Sequence, residues 1–199
     1  TFKIIIKIIL IYTIIIKNLK ADFFIDISAL IENNIPRLSY GVAVTDIDND
    51  DKFDFIVTGY RYSNLALSYK KNKLRNIINQ SIFTDQNRQA IGVAACDVDF
   101  DGKEEIYILN TDSFSGKKIY ADRLLDSIDN VYIDLFEDDI NNGVLNVTAG
   151  RSVACVDRKG NGKYSVYVSN YGGRSKFYTI NGKKIIDEAP KLNLDKITG

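Results

Sequence analysis

Three tracts of the chain share one arrangement of apolar and polar positions: an apolar, β-branched run, a polar turn, and a second apolar run. They are GVAVTDIDNDDKFDFIV from Gly41, GVAACDVDFDGKEEIYI from Gly92 and SVACVDRKGNGKYSVYV from Ser152, and they align without a gap. Short β-branched and aromatic runs bounded by turn formers read as strands, so each tract predicts strand, turn, strand. Their starts lie 51 and then 60 residues apart. That is too long for a solenoid coil and near the length of a four-stranded propeller blade. The expectation is an all-β chain of about three blades, roughly 22–88, 89–148 and 149–199.

Between these tracts the pattern is less uniform. Phe23–Ile31 reads as an outer strand or a short helix, with Pro36 breaking the pattern before Leu38. Leu65–Tyr69 alternates as a strand after a Gly59 turn, and Tyr178–Ala189 holds an Asn-Gly dipeptide between β-formers, a hairpin signal. Periodicity alone allows a helix over Ala121–Ile128.

The polar turns carry the chemistry. Asp97, Asp99, Asp101 and Glu105 occupy positions 1, 3, 5 and 9 of the second turn, with Gly102 at position 6, where a sharp turn needs positive φ. Asp46, Asp48, Asp50 and Asp54 occupy the same positions in the first turn, with Asp51 at position 6. Each of these turns has net charge −4, counting five acids against Lys52 or Lys103. Carboxylates so closely spaced repel unless a cation lies among them, and dense oxygen donors suit calcium. An EF-hand would need Glu at position 12, where the second turn has Ile108, and helices rather than strands on either side. The third turn keeps only Asp157 and has Lys159, Asn161 and Ser165 at positions 3, 5 and 9. It is expected to be metal-free, with Lys159 as a built-in cation. The reading is two calcium sites.

These tracts resemble the FG-GAP repeat of integrin-α-type propellers. The stretches Tyr40–Tyr60, Ile91–Thr111 and Ala149–Tyr171 are similar in particular to the cartilage acidic protein family. The resemblance implies a seven-bladed propeller in the full-length protein, of which this chain would be an N-terminal fragment. It implies a secreted calcium-binding glycoprotein of the matrix or cell surface, with a protein receptor as partner. It assigns the ligands to Asp46, Asp48, Asp50, Lys52 and Asp54, and to Asp97, Asp99, Asp101, Lys103 and Glu105, the lysines through their carbonyls. It also turns 122–136 into strand, turn, strand.

The other features agree with export. Lys3 and Lys7 precede an apolar run, Ile8–Ile16, and a polar step toward Ala21, which is signal-peptide anatomy with cleavage expected after residue 21; an uncleaved signal anchor, lengthened from Ile4 with Lys7 snorkelling, is the alternative. No second hydrophobic span follows. Asn79 and Asn146 head glycosylation sequons. Cys96 and Cys155 make an even pair, which export favours as a disulfide. They sit one and two residues before their turns, so alternation could also aim them apart as two buried thiols.

The 26 acids balance 26 bases, so the net charge does not advertise a nucleic-acid partner, and none is expected. Lys70–Lys73 and Lys183–Lys184 read as solvated faces or hairpin tips. There is no histidine, no Gly-x-Ser-x-Gly elbow and no phosphate-cradling loop. The expectation is a binding and adhesion module, not an enzyme. A calcium-dependent enzyme acting on extracellular polysaccharide is the alternative.

Overall fold

The computed structural model describes residues 24–198. The expected signal segment, residues 1–21, lies outside them. Residues 24–30 belong to a separate small unit and contain one turn of 3-10 helix, Ser28–Leu30, begun by the Asp26 carboxylate accepting from the Ser28 amide at 2.8 Å.

The larger unit holds three four-stranded antiparallel sheets. The first runs β1 (Val42–Thr45), β2 (Asp54–Val57), β3 (Leu65–Lys70) and β4 (Lys73–Asn76). The second runs β5 (Ala90–Cys96), β6 (Glu105–Asn110), β7 (Arg123–Ile128) and β8 (Val131–Asp134). In the third, β9 (Gly150–Val156), β10 (Ser165–Asn170), β12 (Lys176–Asn181) and β13 (Lys184–Asp187) follow the same order, while β11 (Gly173–Arg174) pairs separately with β14 (Ile197–Thr198). Three consecutive up-and-down sheets of four strands are blades of a partial β-propeller.

The first strands of the sheets lie beside one another, β5 between β1 and β9. Glycine allows that approach: a Cβ on Gly41 would come within 2.8 Å of the Gly92 Cα. Two apolar layers fill the spaces between sheets. Ile56, Ala66, Phe83, Val93, Ile106, Ile108 and Leu125 pack between the first and second sheets. Cys96, Tyr107, Leu109, Leu124, Val166, Val168 and Tyr178 pack between the second and third. Strand β6 therefore feeds both layers, and every residue of it is buried. A strand covered on both faces loses the polar alternation, which explains the unbroken IYIL run. One face of the first sheet is open, with Val42, Val44, Phe55 and Tyr69 exposed.

Turn chemistry fixes the outer hairpins. Lys71 and Asn72 (φ 52° and 61°) join β3 to β4, and Asp129 and Asn130 (φ 52° and 63°) join β7 to β8. Two successive left-handed residues match the twist of the flanking strands. The basic run Lys70–Lys73 is thus a hairpin tip, and Arg123–Ile128 is strand, so the helix that periodicity allowed over 121–128 does not form. In the last hairpin Asn181 pairs with Lys184, which moves the turn one residue on from the Asn-Gly dipeptide, to Gly182 and Lys183.

Candidate metal centre

Each first hairpin closes with the same pairing: Thr45 faces Asp54, Cys96 faces Glu105 and Val156 faces Ser165. Position 9 is therefore the first residue of a strand and points inward, while positions 1 to 8 form the turn. Asp54, Glu105 and Ser165 are all buried.

The aspartate at position 1 builds the turn. The Asp97 carboxylate accepts from the Phe100 amide at 2.6 Å and the Gly102 amide at 3.0 Å; Asp46 accepts from Asp50 and Asp51 at 3.0 and 2.8 Å; Asp157 accepts from Gly162 at 2.8 Å. Its survival in the third turn follows from this folding role. Position 5 caps position 7 in each copy, Asp50 to Lys52, Asp101 to Lys103 and Asn161 to Lys163. Position 6 has positive φ throughout: Asp51 62°, Gly102 92° and Gly162 84°. Position 4 does too, at Asn49, Phe100 and Gly160 (56°, 74° and 65°), which the sequence reading did not anticipate.

These constraints converge the carboxylates. One oxygen from each of Asp46, Asp48 and Asp50 lies within 4.8 Å of the others, and the same holds for Asp97, Asp99 and Asp101. At position 9 of the second turn, Glu105 Oε2 accepts from the Val98 amide at 2.7 Å while Oε1 is buried with no hydrogen-bond partner. Burial, only partly offset by the Val98 amide, pushes the Glu105 carboxyl up to about 8, and the charges of Asp99, Asp126 and Asp101 act in the same direction. Burial also raises Asp99, with Asp101 and Asp126 adding to it. In the first turn Asp54 is raised, mainly by burial, and Asp48 Oδ1 is buried without a partner.

An unpartnered buried carboxylate oxygen, close enough to Asp99 and Asp101 for their charges to act on it, is costly as it stands, and a cation would relieve it. These residues can hold a metal ion. The positions of Lys52 and Lys103 at turn position 7 leave their side chains exposed. In the third turn the Asp157 carboxylate is held below its ordinary range by backbone amides, Gly162 foremost. Among the described residues Lys159 forms no ion pair with it.

Two side chains that the turn spacing did not reveal also face these groups. Asp126, on β7, acts by its charge on both Asp99 and Glu105. Lys70, at the end of β3, forms an ion pair with Asp48. Both arrive from strands distant in sequence; the only local signal was a charged residue inside an apolar strand.

The remaining expected site residues part ways. Cys96 and Cys155 are joined by a disulfide, with Cα atoms 6.2 Å apart. Asn79 is exposed. Asn146 is a correction: it is fully buried, its amide nitrogen donating to Asp122 at 2.5 Å and to Asn170 at 3.0 Å, so the folded chain leaves no room for a glycan there.

Residues 34–108, which include both acidic turns, match the FG-GAP-like repeat family. Over 152 residues, 70% of this chain, the sequence is 47% identical to cartilage acidic protein 1 of Xenopus tropicalis; the human protein of that name is 45% identical over the same length. The chain is a homologue of the cartilage acidic proteins. The mouse cartilage acidic protein 1 is 47% identical over 151 residues. This cartilage acidic protein homologue spans 23% of the length of those relatives. Among its described residues no helix is long and apolar enough to cross a membrane.

Proposed function

We propose that this chain is part of a secreted, calcium-stabilised β-propeller that works by binding a protein partner in the extracellular matrix or at a cell surface, without catalysis. Asp46, Asp48, Asp50 and Asp54 would hold one calcium ion and Asp97, Asp99, Asp101 and Glu105 another, with the carbonyls of Lys52 and Lys103 completing each set. The observation that carries the reading is Glu105 Oε1, buried without a partner at the end of the turn that brings Asp97, Asp99 and Asp101 together. An ion that binds the folded turns and not the unfolded chain stabilises the fold by mass action, by about 2.7 kcal/mol at a hundredfold excess over its dissociation constant.

Export is supported by the Cys96–Cys155 disulfide, since such bonds persist in oxidising compartments. A binding role is supported by the end of the sheets opposite the acidic turns. Arg151 lies over the rings of Phe114 and Tyr171, 5.3 and 4.9 Å from their centroids, while Tyr40 and Phe114 are exposed. Aromatic and arginine side chains at a surface are the usual anchors of protein recognition. Thermal melting in millimolar calcium and in chelator tests the calcium reading. Calcium should raise the midpoint, and Asp99→Ala should lower it in calcium and lose less on chelation than the parent, because only the first turn can still bind the ion. Equal chelator sensitivity in the variant and the parent would overturn it.

A further inference from the structure

The two acidic turns are alike in sequence and unlike in their surroundings. Phe55 and Ile106 hold the same repeat position, and they pair with Leu67 and Leu125. Counting onward along β3 and β7, Ser68 is equivalent to Asp126, and Lys70 to Ile128. The first turn thus has a neutral hydroxyl and an ammonium where the second has a carboxylate and an alkyl chain.

The ion pairs follow this difference. In the first turn Lys52 Nζ lies 3.0 Å from Asp50 Oδ2, and Lys70 Nζ is bonded to Asp48 Oδ2. Two of its three clustered aspartates therefore already carry ammonium groups. Among the described residues no lysine or arginine forms an ion pair with Asp97, Asp99, Asp101, Glu105 or Asp126. No ammonium group is paired with the aspartates of the second turn, and Asp126 places a further carboxylate near Asp99 and Glu105.

Building on the calcium reading above, we propose that the two turns bind calcium with unequal affinity: the second fills first, Asp126 strengthening it, and the first fills only when calcium displaces Lys70 from Asp48. Coulomb attraction sets the order, because an incoming dication meets three clustered aspartates with no ion pair in one turn and a partly neutralised cluster in the other. Filling the first turn releases the Lys70 ammonium at the tip of the β3–β4 hairpin, beside Lys71 and Lys73. Rising calcium would then make that edge more basic after the blade corner of the second sheet is already locked.

Isothermal titration of the whole chain with calcium chloride, after chelation and dialysis, tests this. Two steps of different affinity are expected, and Asp101→Asn should remove the tighter one and so identify it. Lys70→Met should tighten the weaker step by roughly tenfold, equivalent to about 1.4 kcal/mol, and leave the tighter one unchanged. Lys70→Arg, which keeps the charge, should leave both in place. Asp126→Asn should weaken the tighter step by a similar factor. Circular dichroism of each variant, matched to the parent, excludes loss of fold. Two equal steps that ignore Lys70→Met and Asp126→Asn would overturn the inequality while leaving calcium binding intact. No binding heat together with no calcium-dependent melting would overturn the calcium reading itself.

Discussion

Cys96 and Cys155 meet because they occupy opposite faces of equivalent strands. Cys155 shares its repeat position with Ala95, not with Cys96, and that one-residue offset turns it back toward the second sheet. Within a single sheet such an offset would aim the side chains apart. Between stacked sheets it aims them together, and both sulfurs lie in the layer between the second and third sheets.

The bond closes a loop over a sequence separation of 59 residues. The chain-entropy account assigns a loop of that size about 4 kcal/mol. Replacing both cysteines by alanine is therefore expected to lower the unfolding free energy by that order in urea titrations, and reduction of the parent protein to have a similar effect. A loss below about 1 kcal/mol would show that the stacked sheets do not depend on the staple.

Protonation of Glu105 should be visible in the cation-free protein. Its carboxyl rises from 4.5 to about 8 in the folded state, so folding favours the protonated form. That contribution is complete below about pH 4.5 and is lost as pH rises through about 8. In chelator the melting midpoint is expected to fall between about pH 5 and 8.5, and Glu105→Gln to flatten this slope. An unchanged slope in that variant would assign the effect to other acids.

Asn146 is expected to carry no glycan. Glycopeptide mapping of the protein from a secretory host should find sugar at Asn79 alone. Asn146→Ala removes a donor from the buried Asp122 carboxylate, which also accepts from Tyr107 and pairs with Lys118. Loss of about 1 to 3 kcal/mol in denaturant titrations is expected. Glycan found at Asn146 in folded material would contradict the buried placement.

Much of this architecture is legible in the chain because it is repeated. The strands flanking each turn, the left-handed residue at position 6 and the convergence of alternate acids all follow from local spacing. Phe100 at position 4 is not legible that way: an aromatic residue disfavours positive φ, and it adopts 74° because the Asp97 carboxylate captures its amide. Lys70 and Asp126 are hidden for another reason. They reach the turns through strand register, which pairs residues far apart in sequence and leaves no spacing to read. Asn146 misled because a sequon records three residues and says nothing of what packs around them.

The placement of β6, covered on both sides, carries a dynamic consequence. Its amides cannot meet solvent through the loss of either neighbouring sheet alone, since the other still shields them. Deuterium should therefore enter Ile106–Leu109 last, at the rate of global opening, while the Lys71–Asn72 and Asp129–Asn130 hairpin tips label within the shortest exposures.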